Sequence, residues 1–188
     1  QINKIDNLLE LFYEQYQKQK KESIFLQSLK EPQKEYSWED VYININKLSE
    51  EISKYIKKGD RCLLVSENRP EWMISDLSIM LSGGITVPAY TTYTERDYEY
   101  IIDDCTPVII IISDKIQYEK IKKIIPKKNF IKKIIFFENI ENTNKELSLK
   151  IQDIFKKKDC NNLNFSNLEI KRKDISCIIY TSGTQGNP

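Results

Sequence analysis

Residues 177–188 read Cys-Ile-Ile-Tyr-Thr-Ser-Gly-Thr-Gln-Gly-Asn-Pro, an apolar run of strand length that gives way to hydroxyls and glycines. Thr181, Ser182 and Thr184 supply the hydroxyl groups, interleaved with Gly183 and Gly186. Glycine lets the backbone turn sharply and approach a ligand closely, and amide N–H groups beside hydroxyls can satisfy the oxygens of a phosphate. The chemistry such a loop suits is anion binding. By composition alone an ordinary turn is the first reading of a Ser/Thr/Gly cluster behind a strand. Spacing excludes two other phosphate loops: no Gly-Lys-Ser/Thr follows Gly183 as in a Walker A loop, and Gly-x-Gly-x-x-Gly is absent.

A loop of this kind needs a strand to launch it and a sheet to hold that strand. Leu8, Leu9, Leu11, Phe12 and Tyr16 predict a short amphipathic helix, Ile24-Phe25-Leu26 a candidate strand, and Lys30-Glu31-Pro32 a turn. Ser37 and Asp40 have capping-box spacing, and Val41, Ile45, Leu48, Ile52 and Tyr55 share a helical face; this helix is expected to stop at Gly59, after Lys57 and Lys58. Cys62 to Val65 reads as a strand buried on both faces. Pro70 then opens a helix carrying Trp72, Met73, Leu77 and Met80 and ending at Gly83-Gly84. Ile85 to Tyr90 is extended, and Thr94 with Asp97 caps a helix bearing Tyr98, Ile101, Ile102 and Cys105. Val108 to Ile112 is a strand, Ile116 to Ile125 a basic helix, Ile134 to Phe137 a strand and Leu147 to Phe155 a helix.

This alternation predicts an α/β fold, doubly wound, with a mostly parallel sheet and flanking helices. The expected organisation is an entry helix and strand (1–35), β-α repeats (36–137), a solvated Asn- and Lys-rich excursion (138–173), and the final strand with its loop (174–188). In open α/β sheets ligands gather at the carboxyl ends of strands, which is where this loop leaves its strand.

Composition narrows the function classes. At 188 residues and 40% hydrophobic the chain can bury one ordinary core. Twenty-nine basic against 28 acidic residues leave no electrostatic footprint for nucleic acid. With no histidine, a His-based triad or His-ligated metal cannot come from this segment. Cys62, Cys105, Cys160 and Cys177 are widely spaced with no Cys-x-x-Cys pair, as expected of free thiols in a reducing, cytoplasmic setting. The longest apolar run, Val108 to Ile112, is far short of the roughly 20 residues of a membrane span; peripheral membrane association is left open. A chain opening on Gln1 is expected to be a piece of a longer product, so the rest of its own chain is an expected partner.

Tyr180-Thr181-Ser182-Gly183-Thr184-Gln185-Gly186-Asn187-Pro188 closely resembles the signature loop of the adenylate-forming superfamily, which includes acyl-CoA synthetases, luciferases and peptide-synthetase adenylation domains. Gln185 stands where that family has Thr or another small residue, and the family's Lys-Gly pair falls beyond Pro188. The resemblance continues upstream. Tyr36-Ser37-Trp38-Glu39-Asp40, Gly59-Asp60-Arg61, Ser66-Glu67-Asn68-Arg69-Pro70-Glu71-Trp72 and Gly83-Gly84-Ile85-Thr86-Val87-Pro88-Ala89-Tyr90 follow in the family's order. The Glu-Asn-Arg-Pro-Glu-Trp form is most similar to long-chain fatty acyl-CoA synthetases.

The resemblance lifts the phosphate reading of the loop above the turn. It implies that Ser182, Gly183, Thr184 and Gly186 hold the phosphates of ATP, with Thr181 joining them and helping to order Mg2+. It implies an acid–thiol ligase whose full-length form converts a fatty acid, ATP and coenzyme A to acyl-CoA through an acyl-adenylate, with no catalytic residue inside this stretch and no activity from it alone. An aryl-CoA ligase or luciferase-like enzyme shares the same loop, and a non-catalytic α/β module is the reading from another class, for which Gln185 is the hint. Upstream, Trp38 and Trp72 are expected to pack, Arg69 and Glu71 to be solvated or helix-end charges, and Pro88 to shape an exit turn.

Overall fold

Apolar runs become the centre of the molecule and amphipathic stretches its flanks. A computed structural model describes residues 5–29, 33–158 and 170–181. Helix α1 (Leu8–Lys18) leads into an antiparallel pair, β1 (Ile24–Gln27) and β2 (Glu35–Ser37), and then α2 (Trp38–Ile52). Alternation follows: β3 (Arg61–Val65), α3 (Pro70–Leu81), β4 (Ile85–Ala89), α4 (Glu95–Cys105), β5 (Ile109–Ile112), α5 (Lys115–Ile121), β6 (Lys133–Phe136), β7 (Ser148–Lys150) and α6 (Ile151–Phe155).

The last five strands form one parallel sheet in the order β4-β3-β5-β6-β7. Successive strands turn alternate residues to opposite faces, so each face gathers its own core. Cys62, Leu64, Ile109, Ile111 and Ile135 join residues of α1, α2, α3 and α6 on one side. Leu63, Val65, Val87, Ile110, Ile112 and Phe136 join those of α4 and α5 on the other. The fold is therefore doubly wound α/β, as the alternation predicts. All four isoleucines of β5 are fully buried, each contributing roughly 1.5–3 kcal/mol relative to exposure.

The capping boxes at Ser37–Asp40 and Thr94–Asp97 and the opening Pro70 stand where the sequence puts them. Several boundaries differ, each for a local reason. Helix α2 ends at Ile52 rather than Gly59, because the Asp60 carboxylate captures the Lys57 N–H at 2.8 Å and draws the chain into a turn completed by Gly59 at φ 88°. The basic helix stops at Ile121, and Pro126, which disfavours α geometry before it, sits in a short 3-10 turn at Ile125–Lys127. The helix expected over Leu147–Phe155 begins as a strand: the free edge of β6 offers backbone partners, Leu149 pairs with Ile135, and only Ile151 onward is helical. Residues 138–158 thus carry the outermost strand of the sheet and α6 as well as solvated turns.

Two side-chain readings also change. Arg69 and Glu71 do stand at a helix end, the N-cap and first turn of α3, but they are not solvated: Glu71 is 1% exposed and accepts hydrogen bonds from Arg69 Nε at 3.0 Å, Lys34 Nζ at 3.0 Å and Tyr36 Oη at 3.3 Å. Arg69 also reaches Glu67 and Glu138 and lies over the Phe137 ring. Burial pushes the Glu71 carboxyl pKa up, but the hydrogen bonds and charge of Arg69, with Lys34, more than offset it and hold it below the usual carboxylate range. Pro88, expected in an exit turn, lies inside β4 opposite Leu64. Trp38 and Trp72 do pack against the core, Trp38 stacking on Phe25 at 3.8 Å.

Candidate functional site: the launch of the phosphate-type loop

The stretch from Ile170 to Thr181 runs beside β4, outside the five-stranded sheet. Thr86 N–H donates to Ser176 O at 3.1 Å and Ile178 N–H to Thr86 O at 3.0 Å, making a single parallel bridge between Thr86 and Cys177. The sequence predicts a full strand over Cys177–Tyr180; the structure has this one bridge, and Pro88 supplies the reason. Ile85 N–H points to Asp60 O on the β3 side and Thr86 N–H points outward, so two residues on the nitrogen of Pro88 also faces outward. A proline nitrogen carries no hydrogen, and the rung that would hold Ile178 O cannot form.

Beyond that point side chains take over from the ladder. Tyr93, in the turn between β4 and α4, donates its hydroxyl to the Tyr180 carbonyl at 3.1 Å. Tyr180 donates its own hydroxyl to the carboxylate of Asp104 on α4. The Tyr100 ring meets Tyr180 edge to face at 6.3 Å. The turn is braced from below, with Lys120 of α5 donating to Thr91 O at 2.7 Å and Tyr93 O at 3.0 Å, while the buried Tyr98 hydroxyl donates to Tyr90 O at 2.8 Å. Burial, then the Asp104 hydrogen bond, raise the Tyr180 pKa; burial, then the phenol of Tyr90 and Asp97, raise that of Tyr93. Both phenols remain neutral donors at physiological pH.

Thr181, the first hydroxyl of the loop, is exposed immediately after this anchor. Ser182, Gly183, Thr184 and Gly186 lie outside the described residues. Tyr93 and Asp104 carry no motif and were not legible as site residues; the tyrosine-rich turn Tyr90-Thr91-Thr92-Tyr93 at the carboxyl end of β4 is the only signal in the sequence that points near them. The segment that follows the neighbouring β3 carries the Arg69–Glu71 cluster, whose Arg69 reaches Glu138 just past β6. A cavity of about 470 Å³ opens at the other end of β4, among Asn7, Lys58, Gly83, Gly84 and Lys171. Among the described residues no group of three or more His, Cys, Asp and Glu side chains could hold a metal. The Thr181 hydroxyl is a hard oxygen donor of the type Mg2+ accepts, alongside water and phosphate oxygens. No helix among the described residues is long and apolar enough to cross a membrane.

The family model described as AMP-binding enzyme matches residues 12–188. The long-chain-fatty-acid–CoA ligase ACSBG1 of Rattus norvegicus is 24% identical over 189 residues, covering 95% of this chain and 25% of the rat protein. Long chain acyl-CoA synthetase 4 of Arabidopsis thaliana is 30% identical over 160 residues, covering 81% of this chain and 24% of the plant protein. The chain thus spans about a quarter of the length of these relatives. Among solved structures, coronafacic acid ligase from Pectobacterium brasiliense superposes with a TM-score of 0.77 at 16% identity over 95% of this chain and 34% of its own. The anthranilate CoA ligase AuaEII, solved with anthranoyl-AMP, gives 0.66 at 22% identity over 82% of this chain and 29% of its own. With a family match running from α1 to the final proline and the same fold in adenylate-forming ligases, the chain belongs to the AMP-binding enzyme family.

Proposed function

We propose that this chain is the amino-terminal part of a long-chain fatty acid–CoA ligase, and that residues 181–186 hold the phosphates of ATP. The observation that carries the reading is the family match through the signature loop, together with a launch that presents Thr181 to solvent. The long-chain assignment is supported by the Glu67–Trp72 motif and by the names of the curated relatives.

A carboxylate is a poor acyl donor because its leaving group would be an oxide. In the proposed reaction one carboxylate oxygen attacks the α-phosphorus of ATP, the bond to the bridging oxygen breaks, and pyrophosphate leaves. The thiol sulfur of coenzyme A, its proton lost, then attacks the acyl carbon and AMP departs. The work of this segment is positioning and charge stabilisation. Ser182, Gly183, Thr184 and Gly186 would hold the phosphate oxygens through hydroxyl and amide donors, and Thr181 would help to hold Mg2+, which would neutralise phosphate charge.

The test is ATP–pyrophosphate exchange by the full-length protein, with a panel of long-chain, medium-chain and aromatic acids. Long-chain acids are expected to drive exchange, and Thr184→Ala to slow it about ten- to a hundredfold, the equivalent of roughly 1.5–3 kcal/mol for a hydrogen bond to a charged group. Gly183→Val is expected to be worse, since a β-branched side chain blocks close approach of backbone to phosphate. Unchanged turnover in both variants would return the loop to an ordinary turn. Preference for an aromatic acid would make the protein an aryl-CoA ligase.

A further inference from the structure

The chain entering the loop is held in an unusual way for a segment lying along a sheet. One bridge, Thr86 to Cys177, pairs it with β4, and Pro88 withholds the next backbone donor. Three residues, Ile178 to Tyr180, separate that bridge from Thr181. Over those residues the fixed points are the Tyr93 hydroxyl on the Tyr180 carbonyl, at 3.1 Å, and the Asp104 carboxylate on the Tyr180 hydroxyl. Both contacts converge on the residue that precedes Thr181, one on its backbone and one on its side chain. The Tyr93 contact holds the carbonyl of the peptide plane between Tyr180 and Thr181, and therefore the direction in which the Thr181 amide N–H points.

Resting on the proposed phosphate-binding role of the loop, we infer that Tyr93 and Asp104 are positioning residues for nucleotide activation: they replace the missing rung at Pro88 and set the orientation in which the loop meets the triphosphate. Tyr93 is tied in turn to α5 through Lys120, which donates to the Tyr93 carbonyl at 3.0 Å, so the anchor stands on packed elements on the same side of the sheet. A ladder in place of these two contacts would hold the loop base as rigidly as the sheet. The two side-chain contacts instead hold Tyr180 at one backbone point and one side-chain point.

The test uses the full-length protein and compares Tyr93→Phe, Asp104→Ala and Asp104→Asn with wild type and Thr184→Ala. Tyr93→Phe keeps the ring and removes only the donor, and is expected to lower kcat/KM for ATP in the exchange reaction roughly two- to tenfold, the worth of one neutral hydrogen bond. KM for the acid and the thermal midpoint should be unchanged. Asp104→Asn still offers an oxygen to the Tyr180 hydroxyl and should retain most of the activity that Asp104→Ala loses. If Thr184→Ala is impaired while Tyr93→Phe and Asp104→Ala match wild type, the positioning role is wrong and the phosphate-loop reading stands. A fall in thermal midpoint with equal losses toward ATP and acid would make the contacts merely structural and overturn the inference. If the wild-type protein shows no exchange with any acid, the functional reading fails and this inference fails with it.

Discussion

Glu71 lies where two stretches of sequence 35 residues apart meet: the hydroxyl of Tyr36, from the aromatic entry to α2, and the guanidinium of Arg69 converge on one buried carboxylate. Removing the carboxylate leaves the largely desolvated Arg69 guanidinium without its nearest counter-charge, which costs far more than the net worth of the pair. Glu71→Ala is therefore expected to destabilise the protein by about 3 kcal/mol, the lower end for a broken buried pair because Arg69 keeps Glu67 and Glu138. The pH dependence follows from the direction of the shift. With the folded-state pKa held below the ordinary value of about 4.3, the unfolded chain takes up this proton first as pH falls. The contribution of Glu71 is fully present above that value, declines as pH drops through it, and is lost below the folded-state pKa. Urea denaturation of full-length wild type and Glu71→Gln at pH 7 and pH 4 would check this: the gap between them should narrow at pH 4, and an equal gap at both would contradict it.

Helix α4 shows how an element is held at both ends by different means. At its start Thr94 Oγ1 accepts from Asp97 N–H while Asp97 Oδ2 accepts from Thr94 N–H at 2.8 Å, satisfying backbone donors that have no partner within the helix. At its end Thr106 takes a left-handed conformation, φ 44°, and Arg61 at the head of β3 reaches across to donate to Cys105 O at 2.7 Å and Thr106 Oγ1 at 2.8 Å. The first device is visible in the sequence and the second is not. Thr94→Ala is expected to cost about 1 kcal/mol. Hydrogen exchange would report it as faster amide exchange in the first turn of α4 with α2 unaffected; a uniform increase across both helices would mean the cap is coupled to global stability instead. Because α4 also carries Asp104, its placement bears on the loop as well as on the core.

At the scale of the whole molecule, the outer flank of β4 gathers several exposed apolar side chains among the described residues. Ile175 and Ile179 are 63% and 59% exposed along the Ile170–Thr181 stretch, and Tyr90 is 63% exposed beside it. A polypeptide of residues 1–188 alone is expected to bind a hydrophobic dye and self-associate at high concentration. It is also expected to show no ATP–pyrophosphate exchange, since the family's Lys-Gly pair lies outside it. Monodisperse behaviour without dye binding, or exchange above background, would contradict these expectations. Much of this architecture was legible residue by residue. Apolar runs such as Cys62–Val65 and Val108–Ile112, the two capping boxes and Pro70 at a helix start are local signals, set by period and by backbone chemistry within a few residues, and they determined the alternation and hence the fold. What sequence could not determine were the outcomes of competition between distant groups. Ser148–Lys150 became a strand because β6 had a free edge, and Glu71 was buried because Lys34, Tyr36 and Arg69 arrive together to balance its charge. The loop likewise resembles a phosphate site in sequence alone, but Pro88, Tyr93 and Asp104 meet at its base only once the sheet is wound, because each contact joins residues that nothing local ties together.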